Sequence, residues 1–134
     1  MGTDFLAARR LPASPGATAP DGTAVRLLGA MAGGSMAHFE IKAGAVSHAV
    51  AHRSVEEIWY FVGGHGRIWR KLGAEESVVD VRPGVCLTIP LGAHFQFQAD
   101  GAEPLTFIAV TKPPWPGADE ALRVEGPWTA TVEG

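Results

Sequence analysis

The sequence is poor in cysteine, holds no block of basic residues and has no long apolar run. Its single cysteine, Cys86, excludes an intrachain disulfide framework and a cysteine-rich zinc site. One lone thiol also suits a reducing compartment. Net charge is −3, and Lys and Arg are scattered along the chain. Phosphate backbones are bound by clustered cations, so nucleic acid is not an expected partner. No apolar stretch approaches the roughly 18–20 residues that span a bilayer, so no membrane partner is expected either. Near the N-terminus, Arg9 and Arg10 precede a segment broken by Pro12, Pro15, Gly16 and Pro20, which lacks the apolar centre of a secretion signal. A cytoplasmic location is the resulting expectation. Also missing is any sustained 3.6-residue apolar period, apart from a helical turn over Ala118 to Leu122.

What the chain does have is punctuation. Seventeen glycines and ten prolines divide 134 residues into short segments. Between them lie β-rich runs: Thr23 to Gly29, Ser35 to Lys42, Glu57 to Val62, Gly66 to Lys71, Ser77 to Arg82, Val85 to Ile89, His94 to Gln98 and Leu105 to Thr111. Ser35 to Lys42 and His94 to Gln98 alternate with period two, as half-buried strands do. Short strands without intervening helices predict an all-β domain, an antiparallel sandwich or barrel. The length fits one domain. Residues 1–22 read as an N-terminal arm that Phe5 and Leu6 can dock. Residues 23–112 read as the barrel, and residues 113–134 as a tail stapled by Trp115 and Trp128 to the barrel or to a partner subunit.

Two stretches carry more than patterning. The first runs His52-Arg-Ser-Val-Glu56-Glu57-Ile-Trp-Tyr-Phe-Val-Gly-Gly64-His-Gly66. The second runs Gly84-Val-Cys-Leu-Thr-Ile-Pro90-Leu-Gly92, with a Gly-Ala-Glu-Pro-Leu turn downstream. In this order they resemble the two motifs of the cupins, small jelly-roll barrels, over about half the chain. The resemblance implies a double-stranded β-helix, or jelly-roll barrel, and a homodimer. An otherwise open strand edge gives a physical reason for the dimer.

The resemblance also implies ligands for a metal. In metal-binding cupins the first motif opens with His-x-His followed by Glu, and the second motif supplies a third histidine. Here those positions hold Val50, His52, Glu57 and Phe95, with His94 one residue before the last. The implied metal set is His52, Glu57 and His94, which suits Fe, Mn, Ni or Zn. A metal-free site is the alternative, with His52 and Glu57 as catalytic acid and base. The direction of His94 separates the two. Burial of Phe95 and Phe97 turns His94 outward by strand alternation, whereas a bulge near Gly92 returns it to the interior. His48 shares the parity of His52. However, four extended residues span about 13 Å at ~3.3 Å each, so the pair reaches one metal only if the chain bends.

The remaining candidates read more simply. His38 falls on the polar face of its strand, and His65 sits in a glycine turn. Glu56 is a solvated neighbour of Glu57. Trp59 and Phe61 share the parity of Glu57 and line a pocket or pack a core equally well. Gln96 and Gln98 are expected on an exposed sheet face, and Cys86 in the core as a small apolar residue.

Three functions follow from these readings. One is an enzyme acting on a small molecule in the barrel, of isomerase, lyase or dioxygenase type. The second is a small-ligand-binding or sensing barrel without turnover. The third is a structural dimerisation barrel with a collapsed interior.

Overall fold

The computed structural model describes residues 8–133. Phe5 and Leu6, expected to dock the N-terminal arm, lie outside them. The elements are β1 (Ala17–Thr18), β2 (Ala24–Met31), β3 (Gly34–Ile41), β4 (Val50–His52), β5 (Glu56–Gly63), β6 (His65–Leu72), β7 (Glu75–Val81), β8 (Cys86–Ile89), β9 (His94–Asp100), β10 (Leu105–Lys112), a 3-10 turn (Ala118–Glu120) and β11 (Ala121–Arg123). They form two antiparallel sheets, β1-β2-β3-β10-β5-β8 and β11-β4-β9-β6-β7. The chain therefore has the all-β architecture expected from its alternating strands, in the jelly-roll form that the resemblance implied.

Alternation decides which side chains meet between the sheets. In β5 the exposure pattern alternates strictly, with Glu57, Trp59 and Phe61 buried and Glu56, Ile58, Tyr60 and Val62 exposed. β10 lies between β3 and β5 and contributes Leu105, Phe107 and Ala109. The facing sheet contributes Val50, Ile68, Phe95 and Phe97. Trp59 is the hub of this core. It stacks on Phe107 at 4.0 Å and meets Phe95 and Phe97 edge-on, each at 5.3 Å. Such offset and T-shaped arrangements match the negative faces and positive edges of aromatic rings.

Three expectations require correction. Cys86 is exposed, because β8 turns Leu87 and Ile89 inward and leaves Cys86 on the outer face. Gln96 is buried rather than exposed, because the C-terminal segment covers its face of β9. The turn expected over Ala118 to Leu122 is a 3-10 turn only to Glu120; the chain then extends as β11 and pairs with β4. In addition, part of the N-terminal arm is structured, since β1 pairs with β2.

Candidate functional site

One end of the barrel core is hollow. A cavity of about 760 Å³ opens there between the sheets, walled mainly by apolar side chains. β4 places Val50 and His52 on it, β5 places Glu57 and Trp59, β9 places Phe95 and β10 places Thr111. Ala37 and Phe39 of β3, with Leu27 and Met31 of β2, form the wall toward the mouth. Leu27 and Met31 are 67% and 76% exposed, so that end opens to solvent.

His52 and Glu57, the two residues proposed from the sequence as catalytic, both face this cavity. Glu57 is 4% exposed. Its Oε1 accepts from Trp59 Nε1 at 2.9 Å, and its Oε2 accepts from the Thr111 hydroxyl at 2.6 Å. Trp59 lies two residues along the same strand, and Thr111 lies directly across on β10, so register alone assembles this clasp. Burial raises the Glu57 carboxyl above its ordinary range, and the two donors offset that only in part.

His52 is 7% exposed and is held by ring edges rather than by hydrogen bonds. It meets Phe95 at 5.1 Å and Trp115 at 5.3 Å, both nearly perpendicular. Its Nδ1 is buried and has no hydrogen-bond partner among the described residues. Desolvation lowers its basicity, against the pull of Asp21 and Glu120, which favours the neutral imidazole near neutral pH.

Two further acids, which the sequence analysis did not single out, belong to this end of the barrel. Asp21 lines the cavity from the arm, buried, with Oδ1 accepting from Thr23 N at 3.0 Å and from the Thr23 hydroxyl at 2.6 Å. Burial raises its carboxyl above the ordinary range, against the two Thr23 hydrogen bonds. Glu120 lies behind His52 and accepts from the Ser54 hydroxyl at 2.6 Å and from Val55 N at 2.9 Å. Burial opposes its charge, but these donors win and hold it below the usual carboxylate range. Only Asp21's Asx-type turn with Thr23 was readable in principle, as an Asp-Gly-Thr segment. Trp115 was expected to staple the tail, and its backbone N does bind the Ser35 hydroxyl at 3.1 Å, but its ring also closes over His52.

His94 does not join this group. Phe95 shares the lumen with His52 and Trp59, and alternation sends His94 to the other face of β9, opposite Ala51 and Lys71. No bulge interrupts the pairing of β9 with β6 from Lys71 to His65. Val50 and Phe95, at the two other expected ligand positions, have no donor atoms. Among the described residues no three His, Cys, Asp or Glu side chains are grouped to hold a metal ion. The residues present therefore do not fit a metal centre built by protein ligands alone.

No family model matches the sequence, and no curated protein matches it either. Solved structures do match. BH2720 from Bacillus halodurans superposes with a TM-score of 0.62 at 17% identity, over 69% of this chain and 72% of that one. The oxalate decarboxylase of Lactobacillus farciminis, in its formate complex, gives a TM-score of 0.67 at 24% identity, over 78% of this chain and 32% of that one. The Bacillus subtilis oxalate decarboxylase gives a TM-score of 0.69 at 18% identity, over 80% of this chain and 29% of that one. This chain thus spans about a third of the length of the oxalate decarboxylases it resembles. At these identities the likeness concerns the fold.

Proposed function

We propose that this chain, a cupin by fold, binds a small and largely apolar carbonyl compound in its barrel and moves a proton on it. The observation that carries the reading is that Glu57 and His52 both line one mostly apolar cavity of about 760 Å³. Burying ionisable groups is costly, so two of them facing an open, mostly apolar space argue for use. The volume also argues against a collapsed, purely structural interior, since ligand sites begin near ~300 Å³.

In this reading the Glu57 carboxylate takes a proton from the carbon beside the carbonyl. The neutral imidazole of His52 donates a hydrogen bond to the carbonyl oxygen as negative charge builds there. Where a carbon–carbon double bond is conjugated with the enolate so formed, return of the proton to the far carbon of that system shifts the double bond and gives an isomer. The raised Glu57 carboxyl suits this work, because a base acts best with a pKa near the operating pH. Thr111 and Trp59 fix its orientation, so little reorganisation is needed at the moment of transfer.

The test is proton exchange. A panel of small apolar ketones and aldehydes is incubated with the protein in D2O, and deuterium uptake beside the carbonyl is followed by NMR. Wild type is expected to catalyse exchange on at least one compound. Glu57→Gln is expected to lose about a hundredfold or more, as removal of a general base does. His94→Ala is expected to exchange like wild type. Exchange that survives Glu57→Gln defeats the proposal, and binding without exchange favours the non-catalytic ligand-binding barrel.

A metal-dependent version is a second reading. The Bacillus subtilis oxalate decarboxylase is described with Mn(II) centres. In this chain His52 and Glu57 would supply two donors, leaving the remaining positions to water or substrate. About one equivalent of Mn, Fe, Ni or Zn in protein purified without added metal, lost in Glu57→Ala, would establish it. No metal after reconstitution would remove it.

A further inference from the structure

Among the described residues, buried acids line the cavity and no buried Lys or Arg stands beside them. Asp21 and Glu57 both line it, 7% and 4% exposed. Arg9, exposed, is the one Lys or Arg among the described residues that line the cavity. The ion pairs among the described residues are Arg26–Glu40 and Arg67–Asp100, and neither reaches these acids. Buried carboxylates are normally paired with a cation or kept protonated, because an isolated buried charge loses its hydration without replacement. His52 does not supply that cation, since desolvation favours its neutral form. It is also more than nine-tenths buried on this cavity, with Nδ1 unpartnered among the described residues.

Asp21 is held in place through one carboxyl oxygen. Thr23 holds Oδ1 with both its backbone N and its hydroxyl, which fixes the carboxyl plane. Oδ2 makes no hydrogen bond among the described residues. Asp21 stands close enough to His52 and Glu57 for each to shift its titration. The surrounding wall is apolar and aromatic, with Trp59, Phe39 and Trp115. Such walls favour organic cations over hydrated ones, through ring quadrupoles and apolar contact.

We infer that the ligand carries a protonated amine, held by Asp21 beside the group that Glu57 and His52 work on. The substrate class is an amino-carbonyl compound with an apolar body. This rests on the reading of the cavity as a substrate site given above. It also separates this chain from any barrel that takes a small dicarboxylate. An anion would gain nothing from two buried acids that burial keeps protonated, and no interior Lys or Arg among the described residues would hold one.

The experiment is a calorimetric series on the full-length wild-type chain with three probes of one shape: 2-phenylethylamine, 2-phenylethanol and phenylacetate. The amine is expected to bind about tenfold or more tighter than the alcohol, the margin of a charge-assisted over a neutral hydrogen bond, with the acid weakest. Amine binding is also expected to release protons, seen as a dependence of the heat on buffer ionisation enthalpy, because the cation restores the charged carboxylates. Asp21→Asn is expected to bring the amine to the alcohol's affinity while leaving the alcohol unchanged. The wild-type series decides the matter even if that variant fails to fold. Acid binding as tight as the amine, with the alcohol also bound, overturns the amine and leaves the cavity reading standing. Failure of all three probes overturns both. Stoichiometric Mn2+ or Zn2+ binding that the amine does not displace, and that Asp21→Asn abolishes, assigns the missing cation to a metal and overturns the amine.

Discussion

Glu57 is pulled two ways: burial favours its neutral form, while the donors Thr111 and Trp59 favour its charged form, and burial dominates. Its carboxyl therefore titrates higher in the folded than in the unfolded chain. Between those two values the folded chain holds the proton that the unfolded chain has released, so stability falls as pH rises through that window. Asp21 adds a change of the same sign. His52 adds the opposite one: its basicity is lowered, so its contribution is lost as pH falls below its ordinary value of 6.5. Glu120, held low by Ser54 and Val55, likewise loses its contribution as pH falls through its folded value. Comparing Glu57→Gln with wild type isolates the first effect. In urea denaturation the variant is expected to gain on wild type as pH rises above the ordinary carboxyl value of 4.5. A difference that does not change with pH would place Glu57 in a more polar setting than this cavity.

At the scale of elements, β9 serves two surfaces at once. Phe95 and Phe97 fill the core, and Gln96 on the other face binds the C-terminal segment. Gln96 Nε2 donates to Ser47 O at 2.8 Å and to Trp128 O at 2.9 Å, and its Oε1 accepts from Trp128 N at 3.1 Å. The same segment is tied further along, where Val46 N donates to the Thr131 hydroxyl at 2.9 Å. Gln96→Ala strands these backbone groups under cover. It is expected to cost about 1–3 kcal/mol in chemical denaturation and to open the C-terminal segment to protease. Unchanged stability and unchanged cleavage would show that the segment is held elsewhere. The glutamine ladder was visible in His-Phe-Gln-Phe-Gln, but its burial was not. A polar residue on an alternating strand reads as solvated until something remote in sequence covers it.

At the scale of the whole molecule, the outer face of the six-stranded sheet is covered near His38 and Arg26 by the N-terminal segment and left exposed over β5 and the adjoining part of β10. Register sets Met36, Val110 and Ile58 in one row across this outer face and Ile108 beside Tyr60 in the next. Tyr60, Ile58, Val110 and Met36 are 50%, 51%, 43% and 41% exposed. A row of apolar side chains across neighbouring strands is unusual on a monomer surface. We propose that a second copy of this chain covers it, giving the homodimer that the sequence resemblance implied. Sedimentation equilibrium is expected to return a dimer mass. Tyr60→Glu is expected to return a monomer with an unchanged far-ultraviolet circular dichroism spectrum. A monomeric wild type would refute this. No helix among the described residues is long and apolar enough to cross a membrane.

The sequence by itself determined eight of the eleven strands, the all-β class and the face of β5 that carries Glu57, because alternation and glycine punctuation are local properties that need no partner; the short β1, β4 and β11 were not legible. It also determined that Val50 and Phe95 bring no metal donors. Tertiary structure alone decided that Asp21 enters the cavity, that Glu120 and Trp115 back His52, that Gln96 is buried and that Cys86 is not. Each of those facts is a meeting of segments far apart in the chain, made by cross-strand register and by the path of the two terminal segments. A period of two says which residues share a face, but not what will lie against it.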